Sequence, residues 1–211
     1  MKYFGQAEFD SLRESVCSRL SGKRLAHVLG VEKEAAALGE LLLPGKIEES
    51  TLRAAALLHD VTKEYTVEQH LCVLSRAGIT PSSVELAAPK TLHAISAAAL
   101  IPEEYPEFDD PDVVSAVRWH TTGRAGMTLP EKIIYLADYI EPGREWPDCV
   151  RLRREFWGPE PSSLGPDELK AHLTRVLVDS FDATIASLLE ERRPIHPATN
   201  EARNSLLEEQ K

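Results

Sequence analysis

The side chains with the most chemical reach in this chain are histidines and aspartates. His59-Asp60 directly follows the largely apolar run Leu52 to Leu58, and His27, His93, His120 and Asp138 stand at intervals on either side of it. An imidazole nitrogen beside a carboxylate oxygen suits a divalent transition metal such as iron, manganese or zinc, and the adjacent pair supplies two donors at once. Asp138 follows Ile133, Ile134, Leu136 and Ala137, and a carboxylate buried in that company needs a cation or a strong hydrogen-bond donor. Each residue alone has a plainer explanation. A single histidine in an apolar helix usually bonds locally inside the core, and Asp138 could be a helix-terminal acid facing solvent. Spread over several helices, the set points to a metal.

The elements that must position these groups read as helices throughout. Ser21-Gly22 opens a helix-periodic segment carrying His27, and Pro44-Gly45 closes it. Residues 48–58 form a second helix that delivers His59-Asp60 at its end. Thr66 and Gln69 make a capping box for the next helix, which Gly78 stops. A small-residue helix after Pro89-Lys90-Thr91 carries His93 and is expected to end before Pro102. Asp110-Pro111 caps a helix that reaches His120 and breaks at Thr121-Thr122-Gly123. Leu129-Pro130 starts another that ends on Asp138, and residues 167–192 read as a long amphipathic helix after the Gly158 to Pro166 linker. The stretch Gly5 to Asp10 reads as a loop, and Arg193 to Pro197 as a turn before a polar final segment. No strand-like alternation persists, so the expected class is all-α.

At 211 residues the chain has the size of one ordinary domain. A formal net charge of −10 argues against a broad grip on nucleic acid, so a phosphate-bearing ligand needs a local basic pocket or a metal. Cys17, Cys72 and Cys149 are few and lack metal-like spacing, which suggests reduced thiols. With no long apolar segment and early acids in the first residues, a cytoplasmic chain without a membrane partner is expected.

The order His27, His59-Asp60, His93, His120, Asp138 resembles the HD superfamily of metal-dependent phosphohydrolases. Within it the chain is most similar to the YqeK family of symmetrical diadenosine tetraphosphate hydrolases. The likeness runs through Lys23 to Val31, Leu58 to Lys63, Ala116 to Arg124, Glu131 to Asp138 with Glu141-Pro142-Gly143-Arg144, and Arg193 to Pro197. It implies a single compact HD-type helical bundle over residues 1–211, with the long C-terminal helix and tail completing a nucleotide site. It also implies His27, His59, Asp60 and Asp138 as metal ligands, with iron or another divalent ion. His93 and His120 match phosphate-facing positions that hold a second metal in some dinuclear relatives. Arg24, Lys63, Thr121, Arg144 and the His196 to Asn200 turn match the nucleotide side, Asp138 being shared with the metal. His70 and His172 are left as surface residues.

The chemistry fits these residue types independently. Two carboxylates roughly neutralise a divalent ion, which can bring the pKa of a bound water down to about 7. Asp60 and Lys63 then stand as catalytic groups, and Lys63, Arg24 and Arg144 can neutralise nonbridging phosphate oxygens. The expected reaction is symmetrical hydrolysis of diadenosine tetraphosphate to two ADP, with a homodimer as the one protein partner considered. Rival readings are another HD-type nucleotide or deoxynucleotide phosphohydrolase and a noncatalytic nucleotide sensor. A cyclic dinucleotide phosphodiesterase is disfavoured because that branch's Gly-Tyr-Pro signature is absent.

Overall fold

The computed structural model describes residues 2–210 and is helical throughout, with no strand among those residues. Eleven α-helices follow in chain order: α1 Gln6–Arg19, α2 Gly22–Leu42, α3 Lys46–Leu58, α4 Val67–Arg76, α5 Ser83–Ala87, α6 Leu92–Glu104, α7 Pro111–Trp119, α8 Leu129–Ile140, α9 Pro147–Trp157, α10 Pro166–Glu190 and α11 Pro197–Glu208. None is long and apolar enough to cross a membrane.

Local chemistry sets the ends. Thr66 accepts from the Gln69 amide while the Gln69 side chain accepts from Thr66 N, and the Asp110 side chain accepts from the Asp112 amide beside a proline in the first turn. Such caps satisfy amides that the first helical turn leaves unpaired. Thr128 and Glu131 do the same for α8.

Helix α3 lies at the centre, buried on nearly every side from Ser50 to Leu58, and packs against α1, α2, α7 and α8. Such a helix has no polar face to hold it at the surface, so neighbours must surround it. Its C-terminus therefore opens inside the bundle, with His59 and Asp60 in the turn that follows. Beyond this core, α10 packs on α9, α11 and α8, and Phe181 stacks on Tyr135 at 4.4 Å between ring centroids.

Three expectations about the elements are corrected, and one helix without a counterpart among them, α9, is added. Gly5 to Asp10 is not a loop but runs into α1, where Phe9 packs on Phe4 and Phe108 and Leu12 is buried in the core. The helix bearing His93 does not end before Pro102; Pro102 lies in its last turn, where it removes one intrahelical hydrogen bond and the helix stops two residues later at Glu104. The segment after Trp146 contains a further helix, α9. The final segment is also helical: α11 buries Ala198, Thr199, Ala202 and Leu206, side chains mostly too small to give a clear apolar period.

Candidate active site

Three histidines reach the centre by the same device. His59 follows α3, His93 sits in the first turn of α6 and His120 follows α7. The Nδ1 of each faces a carbonyl three residues earlier: Ala56 O at 2.6 Å, Lys90 O at 2.6 Å and Val117 O at 2.7 Å. A carbonyl only accepts, so the proton is on Nδ1 and the Nε2 lone pair points inward. His27, on α2, uses a side chain instead: its Nδ1 donates to Glu141 Oε1 at 3.0 Å. Glu141 is buried and also accepts from the Gly143 amide at 2.6 Å. A Cβ on Gly30 would come within 2.5 Å of Glu141 Oε2, so glycine there lets α2 and the carboxylate approach.

The carboxylates meet these lone pairs. His27 Nε2 lies 3.0 Å from Asp138 Oδ1 and 3.8 Å from Asp60 Oδ2; His59 Nε2 lies 3.8 and 3.7 Å from the same two atoms. Asp60 Oδ1 faces the other way, 3.2 Å from His93 Nε2 and 3.7 Å from His120 Nε2. Among the described residues four buried side-chain polar atoms lack a hydrogen-bond partner, and three of them meet here: His27 Nε2, His59 Nε2 and Asp60 Oδ1. Lone pairs turned toward carboxylate oxygens in a buried space require a cation. Two groups of donors have the right proximity, His27 with His59 and Asp138, and His59 with Asp60 and His120, each set lying within 4.8 Å. The residues present therefore fit a divalent metal.

The titration of His59, His93, Asp60 and Asp138 favours their metal-ligating forms, while His27 is shifted the other way. Burial lowers the His59 pKa to about 4, so its ring is neutral at neutral pH. Burial and the Lys63 ammonium hold His93 well below the usual imidazole range. Burial would raise Asp60, but the imidazoles of His59 and His120 and the charge of Lys63 outweigh it and hold the carboxyl well down. Asp138 is likewise kept ionised against burial, by Arg144 first. Burial alone would lower His27, yet Asp138 and Glu141 raise it, as expected of an imidazole between two carboxylates.

Cations surround this anionic pair. Arg24 donates to Asp60 Oδ2 at 2.7 Å. Arg144 donates from Nε to the Asp138 carbonyl at 2.8 Å and pairs with its Oδ1. Lys63 Nζ lies 3.3 Å from Asp60 Oδ1 and donates to His93 Nε2 at 2.9 Å. The Nε2 atoms of His93 and His120 are 2.9 Å apart, with the Thr121 hydroxyl 3.1 and 3.0 Å from them. Thr121 is held there because Gly123 turns the chain at φ +63°.

Two cavities open on the centre. One of about 690 Å³ lies on the Arg24 and His27 side, and one of about 470 Å³ lies on the Lys63, His93, His120 and Thr121 side; Arg144 and Trp146 line both. Helices α10 and α11 contribute Thr184 and Thr199 to the wall of the second cavity, together with His196.

Every expected metal ligand and phosphate-facing residue is thus brought together. Three assignments change. Asn200 is exposed on α11, and Thr199, one residue earlier, lines the cavity. His70 is buried behind the site, its Nδ1 2.7 Å from Ser96 Oγ, which also meets Thr62 Oγ1 at 2.8 Å. His172 is buried with Nε2 donating to Phe156 O at 2.9 Å. His196 caps α11 by accepting from the Ala198 amide at 3.2 Å while lining the cavity. Glu141 stood in the sequence only within the Glu141 to Arg144 stretch of the likeness, with no role assigned to it, because its contact with His27 arises from the packing of α2 on α8; Trp146, which lines both cavities, carried no signal.

Residues 24–143 match the family model described as HD domain. The chain is 33% identical to the symmetrical bis(5'-nucleosyl)-tetraphosphatase of Halalkalibacterium halodurans, over 91% of this chain and 93% of that protein. It is 30% identical to the Bacillus subtilis protein of the same name, over 87% and 89% respectively. A crystal structure from Clostridium acetobutylicum, described as a predicted HD superfamily hydrolase involved in NAD metabolism, superposes with a TM-score of 0.82 at 30% identity, covering 99% of this chain and 100% of that one.

Proposed function

The chain belongs to the HD domain family, and on that premise we propose that it is a metal-dependent hydrolase cleaving diadenosine tetraphosphate at the central phosphoanhydride to give two ADP. The observation that carries this is the meeting of two partnerless buried imidazole nitrogens, His27 Nε2 and His59 Nε2, with the carboxylates of Asp60 and Asp138, at a point flanked by two cavities and three cations. The similarity to symmetrical tetraphosphatases over nearly the whole chain supplies the substrate class. We read residues 1–211 as one HD-type domain whose C-terminal helices complete the nucleotide site, acting in the cytoplasm.

His27, His59, Asp60 and Asp138 would hold the ion, iron or another divalent transition metal, with one ion favoured. When bound, it would supply Lewis-acid polarisation and lower the pKa of a water. The chain's own residues do the rest. Asp60 Oδ1, without a hydrogen-bond partner, accepts from the attacking water and aims it. Lys63 transfers its contact from His93 to a nonbridging oxygen of the phosphoryl group under attack. Arg24 and Arg144 neutralise the polyphosphate from opposite sides of the centre, and the Thr121 hydroxyl donates to it. The near-complete burial of His59, Asp60 and His120 limits stray water and strengthens each charge contact.

A two-metal arrangement is the second reading. His93 and His120 commit their Nδ1 protons to carbonyls and present facing Nε2 lone pairs, which suits a second ion, whereas a phosphate oxygen at that place would be met by the Lys63 ammonium and the Thr121 hydroxyl.

The test is product analysis in isotopically labelled water. Metal-loaded protein should give ADP alone, with one heavy oxygen in one of the two ADP molecules per turnover. AMP plus ATP would overturn symmetrical cleavage, and absence of turnover would leave a sensor.

A further inference from the structure

We propose that the cavity of about 690 Å³ beside Arg24 and His27 is a second nucleoside site, with Trp146 as the stacking surface for its base. This rests on the dinucleotide reading above. A substrate cut at its middle extends two phosphates and a nucleoside to each side of the metal centre. The expected nucleotide residues Lys63, His93, His120, Thr121 and His196 line one cavity, which receives one half. The other cavity is lined by His27 and Arg24 together with Ser21, Lys23, Glu64, Glu145 and Trp146. Its volume lies within the range of small-molecule sites.

Among the described residues Trp146 is the most exposed large apolar side chain, at 72%. It stands at the N-cap of α9, where its side chain makes no capping bond, and it lines both cavities. The fold does not use its indole as core, and the indole face is free to stack on an aromatic base, while the same cavity carries Lys23, Arg24 and Arg144 for the attached phosphates beside Glu64, Glu141 and Glu145. Holding the substrate at both ends also fixes the register. A polyphosphate gripped at one end can slide by one phosphate, but one gripped at both ends presents its central bond to the metal ligands.

The experiment compares diadenosine tetraphosphate with adenosine 5'-tetraphosphate, which carries the same run of four phosphates but lacks the second nucleoside. The readout is the ratio of their kcat/KM values on metal-loaded, full-length protein. Trp146→Ala should lower that ratio about tenfold, Trp146→Phe should restore most of it, and Ser21→Trp, which fills the cavity mouth, should lower it as well. Circular dichroism checks folding, and Ser21→Trp decides alone if Trp146→Ala does not fold. An unchanged ratio overturns the second site, because a role for Trp146 in the other cavity or in stability would lower both substrates together. If the wild type releases no ADP from diadenosine tetraphosphate, the dinucleotide reading itself fails and takes this site with it.

Discussion

His120 is the residue at which one-metal and two-metal chemistry part. Its Nε2 lies 3.7 Å from Asp60 Oδ1 and 2.9 Å from His93 Nε2, where its lone pair would ligate a second ion and where, with one ion, it stands within reach of the phosphoryl group held by Lys63 and Thr121. With one metal, His120→Ala should keep nearly the parent metal content and lose tenfold or more in kcat/KM, as when a transition-state contact is removed. Loss of one of two ions, read by elemental analysis at saturating metal, would reverse that assignment. Glu141 acts one step back, orienting His27. Removing its charge in Glu141→Gln should weaken metal binding about 10- to 100-fold with the helical signal intact, since carboxylate support of a ligating imidazole is worth that much; titration of metal-free protein measures it. His70 gives a pH effect separate from the ligands. Burial, then the Lys63 charge, lowers its pKa, so folding favours the neutral ring. Its contribution to stability is complete above the ordinary imidazole value of about 6.5 and is lost as pH falls from there through the lower folded value. His70→Gln should therefore show a smaller drop in Tm between pH 7 and pH 5 than wild type; equal drops would remove the assignment.

At the scale of elements, the site depends on how helices stop. Gly123 ends the α7 turn at φ +63°, and a Cβ there would lie 2.6 Å from Phe181 and 2.9 Å from Ala202. Gly123→Ala joins backbone strain to a clash with α10 and α11, so it should cost about 2–4 kcal/mol, read by denaturant unfolding. A cost below about 0.5 kcal/mol would show that the wall moves aside. What could be read from the sequence divides along the same line. The Thr66–Gln69 box, the Asp110-Pro111 start and the buried α3 run are legible because each is written within one or two turns. Residue types and order suggested a metal among His27, His59, Asp60, His93, His120 and Asp138, and the family resemblance implied His27, His59, Asp60 and Asp138 as its ligands. The role of Glu141 was not expected, because its partner His27 is 114 residues away. His70 and His172 looked like surface residues because the groups they bond, Ser96 and Phe156 O, come from other helices. Helix α11 was hidden by its small buried residues, and with it the choice of Thr199 over Asn200.

Across the whole molecule, a net charge of −10 contrasts with the gathering of Arg24, Lys63 and Arg144 at one centre. Because the metal-facing donors come from α2, α8 and the turns around α3, α6 and α7, an ion bound by the assembled set would stabilise the folded state selectively. Chelation should lower Tm by about 5–10 °C, the shift expected when about 2.7 kcal/mol of binding linkage is removed from a chain of this size. A Tm indifferent to chelator and to added metal would argue against a bundle-spanning site. The three carbonyl-held histidines have a consequence for descent. His59, His93 and His120 take their orientation from the main chain of Ala56, Lys90 and Val117, and a carbonyl persists whatever side chain it carries. Substitution at those three positions leaves the tautomers in place, so this part of the centre is insulated from drift in its nearest neighbours. His27 has no such insurance: its orientation is inherited only together with Glu141 and with the glycines that make room for it.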